Sequence, residues 1–426
     1  MTPEPQLNRN LILYFQVHQP RRLENISFFD VGSSGHYFND ELNKQIVTRI
    51  ARECYLPANA LLLRLIKKYP TLKIGFSISG IALDQFEEFA PEVLDSFRQL
   101  ARTGSVEFLS ETYYHSLASM MQGDEFEAQV IKHAERIYEL FSVRPTVFCN
   151  AELIYNDEIG RRIAMMGFDG IMTEGHEHIV TTPNRLYEHP DNNNLKILLR
   201  NYKLSDDISL RYGDYALTAE EYMAWLNGVS EDSETILLGM NYETFGEHHK
   251  KESGIFTFLE SFLTALGKQH SLQMVLPSDA VKNIPSRGTL SVQDTISWCG
   301  EDHNLLPLLG NEMQRDSFYT VSRMEQSIKG MNDPHSLRYW RCLLTTDHFY
   351  YMSTWRNSDD PAAAYFSHYP SAYEAFINYM NVIADFSINA QQRKASSLEN
   401  ASMVSEQERQ QTRVPTWAIT AGQHHT

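Results

Sequence analysis

The sequence predicts an α/β fold, in which a parallel sheet is wrapped by helices and followed by a helical region. Strand-like and helix-like segments alternate about seven times over roughly the first 280 residues, and after about Asn311 only helical patterns occur. No glycine-rich GxGxxG follows the first strand candidate, which disfavours a dinucleotide-binding fold. The alternation alone fits either a barrel or a doubly wound sheet.

Short apolar or alternating runs mark the strands. The run Thr235–Met240 is almost wholly apolar, as a buried parallel strand requires. In chain order, the predicted strands are Leu11–Val17, Leu72–Ile78, Val106–Thr112, Thr146–Ala151, Gly170–Thr173, Leu195–Tyr202, Thr235–Met240 and Leu272–Leu276.

Apolar residues at helical spacing, together with capping residues, mark the helices. Asn156 can cap one helix, and Thr218 with Glu221 forms a capping box for another. The main predicted helices are Asp40–Lys68, Pro91–Arg102, the segment around Phe126–Ile137, the segment after Asn156, Thr218–Leu226, Gly254–Leu266, Phe318–Lys329, Pro334–Met352 and Ser371–Phe386.

These elements predict three parts of the chain. Residues 1–300 form the α/β domain, and residues 301–388 form a helical domain. Residues 389–426 are rich in Gln, Ser and Arg without an apolar period, so we expect a flexible polar tail.

Composition excludes several classes of partner. The net charge is −17, which disfavours nucleic acid because phosphate contacts require a basic face. No apolar run is long enough to span a bilayer, and the N-terminus lacks a signal-peptide pattern. The four cysteines have neither metal-ligand spacing nor the pattern of a disulfide framework. We therefore expect a cytoplasmic protein with no cofactor and no membrane partner.

Polar groups bunch just past four of the predicted strands. These groups are His18, Glu107–His115, Glu152 and Asn241–His249. A single polar residue after a strand is more often a cap than a catalyst, but a barrel collects its strand ends around one mouth. Glu152 is the sharpest candidate, because the nearby Asn156 is better placed to cap the following helix.

Two other chemistries find little support. The loop Glu174–His178 and the pair His248–His249 lack the HExxH spacing of a zinc site, so both are interpreted as polar loops at a substrate cleft, and no metal is expected. No GxSxG nucleophile elbow occurs in the sequence.

At these residues the sequence resembles glycoside hydrolase family 57, in its α-amylase-like branch. The resemblance runs from Leu11 to about Phe386. It rests on HQP at His18, GSVEFL continuing into SETYYHSL, FCNAELIYND around Glu152, MNYETFGEH at Asn241, and TTDHFYYM around Asp347. The segment ISWCGEDHNLLPLLGNEMQ is also similar to the family.

The resemblance implies an incomplete, TIM-like (β/α)7 barrel followed by a helical C-terminal domain. It further implies a retaining mechanism on an α-glucan or maltooligosaccharide, with Glu152 as the catalytic nucleophile. The residues expected to bind substrate are His18, Gln19, Glu107, Glu111, His115, Glu247, His248, Trp298, Asp347 and His348.

One position departs from the family pattern. The family has an aspartate as acid/base two residues before the Glu of the ETFG segment, and this chain has Asn241 there. An amide cannot release a proton to a leaving alkoxide. Either Glu243 or another acid takes over, or the protein is a weakened homologue that binds or senses maltooligosaccharides, or the resemblance misidentifies the acid.

Overall fold

The computed structural model describes residues 9–215, 217–230, 233–269, 271–354 and 367–411. Within these residues one sheet contains nine strands. The strands are β1 (Arg9–Val17), β2 (Ile74–Ile78), β3 (Val106–Phe108), β4 (Val147–Cys149), β5 (Gly170–Glu174), β6 (Tyr187–His189), β7 (Asn192–Arg200), β8 (Thr235–Asn241) and β9 (Leu272–Met274).

The parallel strands close into a barrel. Their order is β3-β2-β1-β8-β7-β5-β4, and a parallel bridge between Ser110 and Phe148 joins the two edges of this path. The Ser110 amide donates to the Val147 carbonyl at 3.0 Å, and the Cys149 amide donates to the Ser110 carbonyl at 2.8 Å. Seven strands therefore form the barrel, which confirms the (β/α)7 fold and decides against a doubly wound sheet.

The helices wrap this barrel and then form a separate layer. They are α1 (Asp40–Ile50), α2 (Leu56–Lys68), α3 (Gly80–Phe89), α4 (Pro91–Ala101), α5 (Glu125–Phe141), α6 (Asp157–Met165), α7 (Tyr202–Ser209), α8 (Tyr212–Tyr215), α9 (Ala219–Asn227), α10 (Ile255–Lys268), α11 (Pro277–Asn283), α12 (Leu306–Leu309), α13 (Glu312–Ser322), α14 (Glu325–Lys329), α15 (Pro334–Leu343), α16 (Thr346–Tyr350) and α17 (Ala372–Gln411). A π-helical turn, Ala51–Tyr55, joins α1 to α2. Short 3₁₀ helices are Phe28–Asp30, Leu117–Met120, Ala151–Leu153, Tyr242–Thr244 and Lys251–Ser253.

Among the described residues, none of the helices combines the length and the apolar character that crossing a bilayer requires.

Several predicted elements differ in extent. The predicted helix Asp40–Lys68 is interrupted by the π turn, and the predicted helix Pro334–Met352 is broken between α15 and α16. The antiparallel strand β6 and the helix α3 were not predicted.

The predicted flexible tail is helical as far as Gln411, and residues 412–426 lie outside the described part. The start of this extension is tied down, because the Asn389 amide donates to the Tyr37 hydroxyl at 3.1 Å and Ala390 is buried.

Alternation along the strands separates the barrel interior from the helix-facing layer. On β1, Ile12 and Tyr14 belong to the interior cluster, whereas Leu11 and Leu13 pack against the surrounding helices. Helix α11 closes the amino-terminal opening of the barrel, because its Val281 joins the interior cluster. The carboxyl-terminal opening is left as the place where polar strand ends can meet a ligand.

A buried carboxylate joins the barrel helices to the helical region. Glu125, at the start of α5, is fully buried and accepts hydrogen bonds from Arg341 Nε at 2.6 Å and Nη2 at 3.1 Å. Lys329 Nζ lies 3.1 Å from the same carboxylate. Removing this charge would leave Arg341 without its buried partner, whereas Lys329 would keep Asp124 and Glu325.

We expect Glu125→Gln to destabilise the protein by on the order of 3 kcal/mol, because breaking a buried ion pair leaves an uncompensated charge. Thermal unfolding followed by circular dichroism should show a Tm several degrees below wild type. The matched control is Glu139→Gln, which removes an exposed carboxylate from the same helix. Equal Tm values for the two variants would contradict a stabilising role for the Glu125 contacts.

The core of the helical region contains a buried histidine. His348 is 2% exposed, and its ring lies 5.8 Å from that of Tyr379. Burial lowers the pKa of His348 to about 4. Between this value and the ordinary pKa of about 6.5, the unfolded chain binds a proton that the folded chain does not. The stability that neutral His348 supports is therefore lost as pH falls through this window.

We predict that His348→Gln makes the Tm less dependent on pH between about 6.5 and 4, because this titration would be worth up to about 3 kcal/mol. Thermal unfolding at half-unit pH steps measures the slope. His36→Gln, which removes an exposed histidine, is the control and should keep the wild-type slope. Parallel curves for wild type and His348→Gln would show that His348 does not contribute to acid sensitivity.

Candidate active site

The carboxyl ends of the barrel strands bring together a cluster of charged and aromatic side chains. Among the predicted site residues, those in mutual contact are His18, Glu111, His115, Glu152, Trp298 and Asp347. They follow β1, β3 and β4 or come from the segments after the barrel. The cluster therefore exists only in the folded chain.

Glu152 follows β4 and is held by three donors. Its Oε1 accepts from His115 Nε2 at 3.2 Å, and its Oε2 accepts from Trp298 Nε1 at 2.6 Å and from Cys299 Sγ at 3.1 Å. The side chain keeps 24% of its surface exposed, so it faces the mouth. Burial acts to raise the pKa of Glu152, but His115 and Trp298 outweigh it and lower the pKa below the usual value. Glu152 is therefore an ionised, accessible carboxylate.

The backbone at Glu152 is strained. Its φ is +52°, in the left-handed region that non-glycine residues rarely adopt. Such a conformation persists only where the surroundings fix it, and these sites cluster where function requires them. Here the Glu152 carbonyl is held by the Trp298 amide at 3.1 Å and by the Ser297 hydroxyl at 2.7 Å.

His115 lies between two carboxylates. Its Nδ1 is 2.8 Å from Glu111 Oε2, and its Nε2 is 3.2 Å from Glu152 Oε1. Burial by itself lowers the pKa of His115, but the bonds to Glu111 and Glu152 outweigh burial and raise the pKa to about 10. His115 is thus a cation at neutral pH.

His18 connects the barrel to the helical region. Its Nε2 donates to Asp347 Oδ2 at 2.8 Å, and its Nδ1 lies 2.7 Å from the Ser79 hydroxyl, which can donate to it. Burial lowers the pKa of His18, and the charge of the neighbouring His115 lowers it further. Burial acts to raise the pKa of Asp347, but His18 and His115 lower it well below its usual range. A neutral His18 therefore donates to an ionised Asp347.

Asn241 ends β8 and faces the barrel mouth. It pairs in register with Gln16 of β1, and Leu237, on the same face of β8, belongs to the interior cluster. The side chain is partly exposed and makes no hydrogen bond with the described residues. The expected acid position therefore holds an amide directed into the mouth.

Glu243 lies beside this position but is turned into the protein. It is 6% exposed and accepts hydrogen bonds from the Tyr55 hydroxyl and, at 3.3 Å, from the His18 amide. Burial raises the pKa of Glu243 to about 7. Gln19 joins the same network through the Tyr55 hydroxyl, 3.2 Å from its Nε2. These contacts hold the segment that follows β1, which carries His18 and Gln19, against the loop that follows β8.

Tyr55 reaches this network because it sits in the π turn between α1 and α2, a feature that sequence periodicity did not reveal. The loop after β8 packs closely on the turn. Gly246 has φ +112°, and a Cβ there would lie 2.1 Å from the Glu53 carbonyl oxygen. The glycine of the ETFG segment is therefore required by backbone approach.

A second charged group flanks the cluster on the β5–β7 side. Glu174 is fully buried, and its Oε2 lies 2.9 Å from Arg200 Nη1 and 3.2 Å from His303 Nδ1. The Arg200 guanidinium lies 5.4 Å from the centre of the Trp298 ring. The Glu174–His178 loop was predicted to line a cleft, but Arg200 and Cys299 were not predicted as site residues. Arg200 lies in no motif, whereas Cys299 directly follows Trp298 in the segment ISWCGEDHNLLPLLGNEMQ and could have been found there. Within the described residues no group of histidine, cysteine and acidic side chains is arranged to hold a metal ion.

Besides Gln19, four predicted substrate-binding residues lie outside the cluster. Glu107 points into the lower barrel and accepts from the Ser278 amide at 3.0 Å, and burial raises its pKa to about 7. Glu247 pairs with Arg49 at 2.5 Å on the outer side of the β8 loop. His248 lies in the same loop and is partly exposed, and burial lowers its pKa to about 4.

The fourth is His348, which is buried in the helical region. It follows Asp347 on α16, but its ring lies against Tyr379, away from the His18 contact.

Comparisons with known proteins agree with this architecture. The model of glycosyl hydrolase family 57 matches residues 12–293. A Methanocaldococcus jannaschii protein provisionally named an alpha-amylase is 38% identical over 395 residues, covering 87% of this chain and 83% of that protein.

Two solved structures share the fold. A GH57 branching enzyme from Thermococcus kodakaraensis matches with a TM-score of 0.64 and 13% identity, over 84% of this chain and 87% of that chain. A 4-alpha-glucanotransferase from Thermococcus litoralis matches with a TM-score of 0.59 and 14% identity, over 80% of this chain and 56% of that longer chain. The family match and the 38% identical relative lead to one conclusion, that this chain belongs to glycosyl hydrolase family 57.

Proposed function

We propose that the protein is a retaining glycoside hydrolase acting on α-glucans or maltooligosaccharides, with Glu152 as its nucleophile. The observation that carries the proposal is the Glu152 carboxylate, which is ionised, partly exposed and held by donors on both oxygens. A carboxylate of this kind can attack an anomeric carbon and form a glycosyl ester. The relative provisionally named an alpha-amylase and the solved 4-alpha-glucanotransferase support this substrate class.

The side chains around Glu152 offer hydrogen-bonding groups and an aromatic surface that can hold the sugar. Asp347 and His18 form a hydrogen-bonded pair at the mouth, and Asp347 keeps 21% of its side chain exposed. An ionised carboxylate at this place can accept hydrogen bonds from sugar hydroxyls. The Trp298 ring, with Arg200 on one side, adds an aromatic surface for a sugar ring. We assign substrate binding to Asp347, His18 and Trp298.

The step for which the site lacks a suitable residue is protonation of the leaving group. Retention requires a second carboxyl group about 5–5.5 Å from the nucleophile, and Asn241 offers an amide instead. We infer that Glu243 does not replace it, because Tyr55 and the His18 amide occupy its buried carboxylate. General acid catalysis contributes roughly 10²–10⁴-fold, so natural α-glucans should react slowly.

The same observation favours a second function. A site that binds maltooligosaccharides but turns them over slowly can serve as a binding or sensing protein. The two functions differ in their products from maltoheptaose. Shorter sugars alone indicate hydrolysis, shorter and longer sugars together indicate transfer, whether 4-α-glucan transfer or another type, and bound but unchanged sugar indicates a binding protein.

Asn241→Asp tests the missing acid directly. We predict that it raises turnover of maltoheptaose toward the roughly 10²–10⁴-fold expected of a positioned acid. Product sugars are separated and counted for wild type, Asn241→Asp and the double variant Asn241→Asp/Glu152→Gln. The double variant is the control and should return to background, since it lacks the nucleophile.

Brisk hydrolysis by wild type with no gain in Asn241→Asp would mean that another residue supplies the proton. Glu243→Gln would then be the next variant. No turnover by any variant, with sugar binding intact, would favour the binding protein.

A further inference from the structure

His115 has an acidic partner on each ring nitrogen. Glu111 Oε2 lies 2.8 Å from Nδ1, and Glu152 Oε1 lies 3.2 Å from Nε2. A neutral imidazole carries one N–H and could donate to only one of these carboxylates. Both contacts are satisfied together only if the ring is doubly protonated. Gln16 Nε2, at 3.5 Å from Nδ1, is too distant to compete with Glu111.

The other titratable groups around the ring agree with a single charge at His115. The His18 ring stacks on it at 4.0 Å, and two charged imidazoles at this distance would repel each other. The contacts of His18 instead fit a neutral ring, which accepts from the Ser79 hydroxyl through Nδ1 and donates to Asp347 through Nε2. Asp347 is thereby supplied with a donor of its own, so it does not draw the proton from His115.

A third histidine in contact with this network is also neutral. His133, on α5, accepts from the Glu111 amide through Nδ1 at 3.2 Å and donates through Nε2 to the Ile78 carbonyl at 2.8 Å. An acceptor nitrogen carries no proton. Of His18, His115 and His133, only His115 meets carboxylates through both nitrogens.

The backbone holds the ring in place. His115 has φ +49°, so both residues of the His115–Glu152 contact adopt left-handed conformations. The His115 amide donates to the Thr112 carbonyl, and the Thr346 amide of the helical region donates to the His115 carbonyl, each at 2.9 Å. A conformation fixed from both the barrel and the helical region is typical of a built site.

We propose that His115 is a permanently protonated positioning residue that keeps Glu152 ionised, and that the buried Glu111 fixes this charge. His115, held by Glu111, acts as the counterion of the Glu152 carboxylate, and neither His115 nor Glu111 contacts the sugar directly. The raised pKa of His115 and the lowered pKa of Glu152 agree with the geometry.

The catalytic consequence rests on the proposed function. When the C1–O bond of the glycosyl ester breaks, the bonding electron pair returns to the Glu152 carboxylate. A cation hydrogen-bonded to that carboxylate stabilises the developing charge, which makes Glu152 a better leaving group. This matters most in a site where Asn241 cannot act as a base toward water.

The protonation state is measured on the full chain with ¹⁵N-labelled histidine, independently of any activity. The His115 signal is assigned from its loss in His115→Gln. We expect both ring nitrogens of His115 to remain protonated from pH 6 to 9 in wild type, and the ring to titrate at least two pH units lower in Glu111→Gln. His189→Gln, which removes a buried histidine elsewhere in the barrel, should leave the His115 signal unchanged.

A second readout uses an aryl α-maltoside with an acidic phenol, which needs no proton to depart. In wild type the rate of phenol release should fall only at low pH, where Glu152 becomes protonated. In His115→Gln, which keeps a donor but loses the charge, this acidic limb should move up by at least one pH unit. A neutral His115 at pH 7 in the wild-type spectrum would overturn the proposal, as would an unmoved acidic limb. If no phenol is released by wild type, the proposed function fails, and the spectrum still decides the state of His115.

Discussion

The contact between Glu152 and His115 is the interaction on which the rest of the barrel mouth depends. The chain carries a net charge of −17, and its mouth gathers the carboxylates Glu111, Glu152 and Asp347. Carboxylates this close would hold protons if nothing opposed their repulsion, and a protonated Glu152 could not attack a sugar. The buried cation His115 removes this repulsion and leaves Glu152, the proposed nucleophile, charged.

The barrel alone does not complete the site. The donors to Glu152 Oε2 come from Trp298 and Cys299, which follow the last strand of the sheet. Asp347 comes from α16, and the neighbouring Thr346 holds the His115 backbone. A disturbance of the contact between barrel and helical region should therefore reach the Glu152 carboxylate through both of its oxygens. The carboxyl-terminal helical region therefore contributes residues to the site.

The sequence predicted the barrel strands well because buried parallel strands are apolar runs with clear ends. It could not separate Glu107 from Glu111. Both lie on the same face of β3 and its extension, since they are four residues apart, and periodicity gives them the same direction. What separates them is their position along the strand, because Glu107 lies within β3 and Glu111 comes just past the Ser110 bridge that closes the barrel. Glu107 then lies inside the barrel near Ser278, and Glu111 lies at the mouth.

The sequence motifs predicted which residues belong to the site, but they did not predict which of these side chains contact each other. SETYYHSL and FCNAELIYND both indicated site residues, but nothing in either motif shows that His115 and Glu152 touch. Tyr55 was missed for a related reason, because a π turn shifts the helical phase by one residue and turns Tyr55 toward Glu243. Both contacts, His115–Glu152 and Tyr55–Glu243, depend on packing between residues that are far apart in the chain. The local spacing of apolar and polar residues therefore does not predict them.

The most direct test of the central claim is the mass of the intact protein during reaction with an activated aryl α-glycoside. If Glu152 is an ionised nucleophile in a site that lacks an acid/base, phenol should be released in a burst and the protein should gain the mass of one glycosyl unit. Peptide mapping should place this unit on Glu152, azide should remove it, and Glu152→Gln should never acquire it. A protein that releases phenol without gaining mass, or that gains it on another residue, would contradict the account.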